Sequence, residues 1–112
     1  MRKLERQMNF AISNKADWKG VNTQVLYNNS TNCSSIHLHG HLIATFDHNL
    51  KALKIDSCGY TTVTTKSRLN ALLEGLMFSA RVFQNHWDWY LSYNKQTVDF
   101  WDNMILVNGE VV

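Results

Sequence analysis

Proline is absent from this 112-residue sequence, and cysteine occurs only twice, as Cys33 and Cys58. The absence of proline excludes rigid proline-rich linkers and the ligand motifs that proline-rich segments form. Two cysteines that do not form a CxxC pair are too few for a disulfide framework or a structural zinc site. We therefore expect two reduced thiols, as in an intracellular protein.

Long hydrophobic runs are also missing. No segment approaches the roughly 20 apolar residues that a transmembrane helix needs. The first residues, which include Arg2, Lys3 and Arg6, are charged and lack the apolar stretch of a signal peptide. The net charge is only +2, whereas nucleic-acid-binding domains usually have a stronger basic excess. These features predict a cytoplasmic protein without membrane association, and no residue pattern indicates a cofactor.

Hydrophobic residues make up 45% of the chain, which is enough for one core in a single domain spanning residues 1–112. Two segments, residues 1–15 and 65–78, have the periodicity of amphipathic helices, and Thr65 is the expected N-cap of the second. The apolar faces comprise Leu4, Met8, Ala11 and Ile12 in the first helix, and Leu69, Leu72, Leu73, Leu76 and Met77 in the second.

Alternating apolar and polar residues predict about five strands: three in residues 21–63 and two in residues 81–107. Residues 28–35 are rich in Asn, Ser and Thr and predict a loop, and residues 36–46 predict one regular strand. In the fourth strand, Phe83, Trp87, Trp89 and Leu91 are expected to face the second helix. The predicted order is α-β-β-β-α-β-β, an α+β domain with an antiparallel sheet and both helices on one face.

Three segments carry a resemblance to a known family: LHGHLIA (38–44), TTKSRLNALL (64–73) and FQNHWDWYL (83–91). They resemble a family of small proteins encoded by tailed bacteriophages, including phages of marine cyanobacteria. The ten-residue segment is the most specific of the three. The resemblance implies a phage origin and a location in the host cytoplasm, and it implies no activity.

His37, His39 and His41 form an H-x-H-x-H run, which on one strand would place three imidazoles on the same face. Imidazole is a common ligand for zinc and other transition metals. Three histidines along one strand span too far for a single ion, so a further ligand such as His86 or Asp88 would be needed. A row of surface histidines is the favoured interpretation, and a metal-dependent enzyme is the weaker alternative.

The start of the second helix is the favoured binding site. Lys66 and Arg68 lie where the helix dipole disfavours cations, and Thr64 and Thr65 add hydroxyl groups beside the free N–H groups of the first turn. Together they predict a corner that accepts an anion, either a phosphate or a carboxylate of a partner. A nucleic-acid or nucleotide-binding module is the corresponding alternative function.

The aromatic residues after residue 82 offer a second surface. Tyr90 and Trp101 are the ones expected to lie outside the core, as interface anchors for a protein partner. Asp88, Asp99 and Asp102 alternate with aromatic residues and are expected to face solvent.

The sequence thus predicts a non-enzymatic phage accessory protein that binds a host or phage macromolecule, with host takeover or defence evasion as its setting. A protein partner is favoured over nucleic acid. Both a monomer and a homodimer are compatible with the sequence.

Overall fold

The computed structural model describes residues 1–112 and contains two helices, α1 (Lys3–Ser13) and α2 (Val63–Gly75), and ten strands. Neither helix is long and apolar enough to cross a membrane. The strands are β1 (Trp18–Lys19), β2 (Thr23–Asn28), β3 (Cys33–Leu38), β4 (His41–Asp47), β5 (Ala52–Ile55), β6 (Ala80–Asn85), β7 (Asp88–Tyr93), β8 (Gln96–Asp99), β9 (Met104–Val107) and β10 (Glu110–Val111).

All paired strands are antiparallel, and they form two sheets. The larger sheet has seven strands in the order β1-β2-β3-β4-β5-β9-β10, and the smaller has three in the order β6-β7-β8. The α+β class with two helices and antiparallel pairing is confirmed, whereas the prediction of about five strands is wrong.

Several of the extra strands arise at tight hairpin turns. Four hairpins close with two residues, and both residues of each turn have positive φ, as in type I′ turns. The four turns are His39–Gly40, His86–Trp87, Asn94–Lys95 and Asn108–Gly109, and only the first and the last contain a glycine. Segments 36–46 and 81–107 therefore contain more strands than their alternation predicted.

The histidine segment shows the consequence most clearly. The chain reverses at His39 and Gly40, with φ of 51° and 80°, so residues 36–46 form parts of two strands instead of one. A register shift at Ile36 and His37 interrupts the alternation of buried and exposed residues in β4. Ile43 and Ala44 are both buried, and Leu42 is exposed. The predicted loop 28–35 is also shorter, because β3 already begins at residue 33.

Helix α2 begins earlier than predicted, because Thr62 and not Thr65 is its N-cap. The hydroxyl Oγ1 of Thr62 accepts a hydrogen bond from the Thr65 N–H at 3.2 Å. Thr65 is consequently inside the first turn and is buried.

Both helices and both sheets contribute to one hydrophobic cluster of 21 buried residues. The expected apolar faces are confirmed at their centres: Met8 and Ile12 of α1, and Leu69, Leu72 and Leu73 of α2, are fully buried. The helices cross closely at Gly75, where a side chain would collide with Asn9. The side-chain amide of Asn70 also joins helix α2 to β6. Its Nδ2 donates to the carbonyl of Val82 at 2.8 Å, and its Oδ1 accepts from the Val82 N–H at 2.7 Å.

His48, just after β4, is a buried histidine whose ionisation opposes folding. Its Nε2 lies 2.8 Å from Ser34 Oγ. Burial lowers the pKa of His48, and the charges of Lys15 and Lys51 lower it further. Because the folded pKa lies below the ordinary 6.5, the unfolded chain binds more protons than the folded protein at pH values between the two. Stability therefore falls as pH falls from about 6.5 through the folded pKa.

We expect chemical denaturation at stepped pH to show this loss of unfolding free energy beginning near pH 6.5. The variant His48→Gln keeps a hydrogen-bonding side chain for Ser34 but does not titrate, so the loss of stability between about pH 7 and 5 should be smaller than in the wild type. An unchanged profile in this variant would assign the pH dependence to other groups.

Candidate functional site

An open groove with a volume of about 600 Å³ lies where the β6–β7 hairpin meets the segment between β8 and β9. None of its lining residues is basic. The lining consists of the aromatic residues Trp87, Trp89, Tyr90, Phe100 and Trp101, the carboxylates Asp88, Asp99 and Asp102, and the hydroxyl residues Ser57 and Thr61. The groove therefore combines apolar surface with negative charge.

Trp87 is the most unusual residue of this groove. It is the second residue of the β6–β7 turn, with a φ of 73°, and it is 89% exposed. A positive φ is unfavourable for a bulky side chain, and an exposed indole gains nothing from burial. The prediction that Trp87 packs against the second helix is wrong, because the turn at His86 and Trp87 carries the ring outward.

Tyr90 and Trp101, the two residues predicted to form an interface, line this same groove. Tyr90 is half-buried and stacks on Phe83 with ring centroids 5.6 Å apart, so its position on the sheet is fixed. Trp101 is 47% exposed. The fold thus brings these two residues together with Trp87 on one surface.

The three carboxylates of the groove have no cationic partner within the protein. Asp88 and Asp99 are exposed. Asp102 is held in place because its Oδ1 accepts hydrogen bonds from the Ser57 N–H and from its hydroxyl, both at 2.8 Å. The only ion pair in the protein joins Glu5 to Arg68. Negative charge in the groove is therefore uncompensated.

The predicted anion corner at the start of α2 does not have the expected geometry. Arg68 is buried, and its Nη1 forms an ion pair with Glu5 Oε2 at 2.8 Å. Its remaining nitrogens donate to Thr23 Oγ1 at 2.9 Å and Asn22 Oδ1 at 3.1 Å. Arg68 is therefore engaged inside the protein and is not presented at the surface of the predicted corner.

Of the other corner residues, Thr64 and Lys66 are both half-buried, and Thr65 is buried. Lys66 lines a shallow groove together with Arg2 and Arg81. Of the two predicted cations, Arg68 is paired inside the protein and Lys66 is not.

The three histidines are distributed around the β3–β4 hairpin and do not form one row. His39 and His41 line a pocket of about 340 Å³ together with Thr64, Thr65 and others, and His37 does not. The His41 ring stacks on Tyr60 at 4.6 Å. No group of three His, Cys, Asp or Glu side chains has a spacing that could hold a metal ion.

Both cysteines are free thiols. The Cys58 Sγ–H donates to the carbonyl of Leu42 at 3.0 Å. Burial raises the pKa of Cys58, and the nearby carboxylates Asp56 and Asp102 raise it further. Because the thiolate is the nucleophilic form, this environment disfavours covalent chemistry at Cys58.

The fold and the groove together define a small α+β protein of two antiparallel sheets with an acidic aromatic surface. The chain belongs to the Kyanoviridae Gp96 protein family, a family of cyanophage proteins whose model matches residues 1–107. This confirms the phage family indicated by the sequence motifs. No match was found among curated proteins or solved structures.

Sequence reasoning did not assign Trp87 or the three groove aspartates to a binding surface. Their signal was present in the segments DWY (88–90) and DFWD (99–102), in which acidic and aromatic residues occur side by side twice. Alternation alone assigns such residues to opposite faces of a strand. The tight turn at residues 86–87 and the end of β8 at residue 99 bring the two segments onto one surface.

Proposed function

We propose that this phage protein is a non-enzymatic accessory protein that binds a host or phage protein through the groove beside the β6–β7 hairpin. The host cytoplasm is its proposed location, and interference with a host process is its proposed role. Family membership supports the phage setting, and the groove supports the binding role.

The observation that carries this proposal is the position of Trp87. Trp87 is 89% exposed at a backbone angle that glycine adopts more easily. Residues held in unfavourable conformations cluster at functional sites, and Trp and Tyr are the residues most enriched among interface anchors. Three such rings that are not buried, those of Trp87, Tyr90 and Trp101, line this one groove.

The alternative functions receive less support. A nucleic-acid surface based on Lys66 and Arg68 loses one of its two charges to the ion pair with Glu5. Carboxylates in the aromatic groove would repel a phosphate backbone. A metal-dependent enzyme based on the histidines has no group of three ligands at suitable spacing.

The variant Trp87→Gly separates binding from stability. Glycine adopts a positive φ without strain, so the melting temperature should be unchanged or higher. Binding should fall by about 30-fold or more, the effect of removing a typical interface anchor. Wild type and variant would be used to capture partners from phage-infected host cells, with nuclease treatment, followed by affinity measurement with the purified partner.

Phe10→Ala is the matched control, because Phe10 is also an exposed aromatic residue but lines a different groove. It should capture the same partner with unchanged affinity. If Trp87→Gly retains the wild-type partner and affinity, the groove is not the binding surface. If nuclease treatment removes the partner, the nucleic-acid alternative is favoured instead.

A further inference from the structure

The groove has a local charge opposite to that of the whole protein. The chain carries a net charge of +2, yet Asp88, Asp99 and Asp102 line the groove and no Lys, Arg or His does. None of the three takes part in an ion pair, since the protein's single pair lies elsewhere. A ligand that complements this surface must bring its own positive charge.

Trp89 adds an independent observation. Its side chain lines the groove and is only 7% exposed, and its Nε1–H has no hydrogen-bond acceptor within the protein. Buried N–H groups normally have a partner. The nitrogen is covered in the free protein, so an acceptor from a ligand reaches it only when a side chain that covers it moves aside.

A peptide segment containing a basic residue meets both requirements, because it supplies a cation and carbonyl acceptors a few ångströms apart. A metal ion is disfavoured, since the carboxylates do not form a group of three suited to one ion. Nucleic acid is disfavoured by charge. Arginine suits the groove better than lysine, because a guanidinium both stacks on an indole face and bonds carboxylates with two N–H groups.

Building on the proposed function, we propose that the partner is recognised through an arginine-containing segment. The guanidinium lies between Asp88 and Asp99 and against the exposed ring of Trp87 or Trp101. A backbone carbonyl of the same segment accepts the hydrogen bond of Trp89 Nε1–H.

The test uses a short synthetic probe peptide, in which one arginine is flanked by glycine and serine, and a twin peptide with citrulline in place of arginine. Citrulline has nearly the same shape without the charge. Binding is followed by fluorescence anisotropy and by the indole N–H signals of the protein in two-dimensional NMR. We expect the arginine peptide to bind at least tenfold more tightly than its citrulline twin, with affinity that weakens as salt rises.

The double variant Asp88→Asn, Asp99→Asn should lower the affinity for the arginine peptide at least tenfold and leave the weak citrulline binding unchanged. Both aspartates are exposed and form no hydrogen bond through their side chains, so the fold should be unaffected. Glu74→Gln, which removes an exposed charge of α2, is the control and should bind as wild type does. In NMR, the Trp89 indole signal should shift on binding, and that of Trp18, which lines another groove, should not.

Equal binding of the two peptides, or no binding of either, would overturn this inference. So would retention of affinity in the double aspartate variant. The proposed function is judged separately, because Trp87→Gly can abolish partner capture even if the arginine peptide does not bind. That combination would mean that the groove binds a protein through contacts other than arginine.

Discussion

Replacing Arg68 by alanine is expected to destabilise the protein by about 3–5 kcal/mol, the usual effect of breaking a buried ion pair by removing one partner. The side chains of Arg68 and Glu5 are only 4% and 3% exposed, with Nη1 and Oε2 2.8 Å apart. Without Arg68, the Glu5 carboxylate is left buried with one hydrogen bond from Ser67 Oγ and one from the Arg2 N–H. Urea denaturation with linear extrapolation measures the difference.

Lys66→Ala is the matched control, because Lys66 lies two residues away on the same helix, is half-exposed and forms no ion pair. Its effect should stay within about 0.5 kcal/mol, as for an ordinary surface change. A loss below about 1 kcal/mol in Arg68→Ala would show that the ion pair is dispensable. The double change Lys66→Glu, Arg68→Glu should therefore unfold the protein instead of leaving a folded variant that has lost only its anion site.

The same ion pair predicts sensitivity to acid. Burial raises the pKa of Glu5, but hydrogen bonds from Ser67, the Arg2 N–H and Arg68, with the charge of Arg68, more than offset this and hold the pKa below the ordinary 4.5. The contribution of Glu5 is therefore fully present above pH 4.5 and is lost as pH falls through the lower folded pKa.

Leu72→Ala is expected to cost about 2–5 kcal/mol, the range for truncating a buried leucine that leaves a cavity. Leu72 is fully buried in the cluster shared by both helices and both sheets. Against a typical total of about 5–15 kcal/mol, such a loss brings a protein of this size near its unfolding threshold. Thermal and urea denaturation measure it.

Leu50→Ala is the control, because Leu50 lies in the turn before β5 and is exposed. It should change the unfolding free energy by less than about 0.5 kcal/mol. An effect of Leu72→Ala no larger than that of the control would mean that α2 is not docked on the sheets as described.

The helices were predictable because the residues of each buried face recur at helical spacing within one short segment. Periodicity located α1 and α2 and identified Leu69, Leu72 and Leu73 as core residues. The strand count was not predictable in the same way. The His86–Trp87 turn has no glycine to mark it, and the His39–Gly40 turn lies within one continuous alternating pattern.

The position of Arg68 in the sequence indicated that it is buried, although its charge suggested a surface residue. Arg68 precedes Leu72 by four residues, and Glu5 precedes Met8 and Ile12 by three and seven, so both lie on the apolar faces of their helices. A charged residue at such a position is buried only if a partner of opposite charge faces it. That partner is 63 positions away in the sequence, and only the packing of α1 against α2 brings the two together.

The sequence by itself determined the phage family, the α+β class and the two helices, because these depend on local order and periodicity, and it named Tyr90 and Trp101 as candidate interface residues. Tertiary structure alone decided which charges are paired and where the exposed rings meet. The groove joins Ser57, the β6–β7 turn and the segment after β8, which are separated by tens of residues. Pairing between distant segments creates such a surface, and local sequence does not encode that pairing.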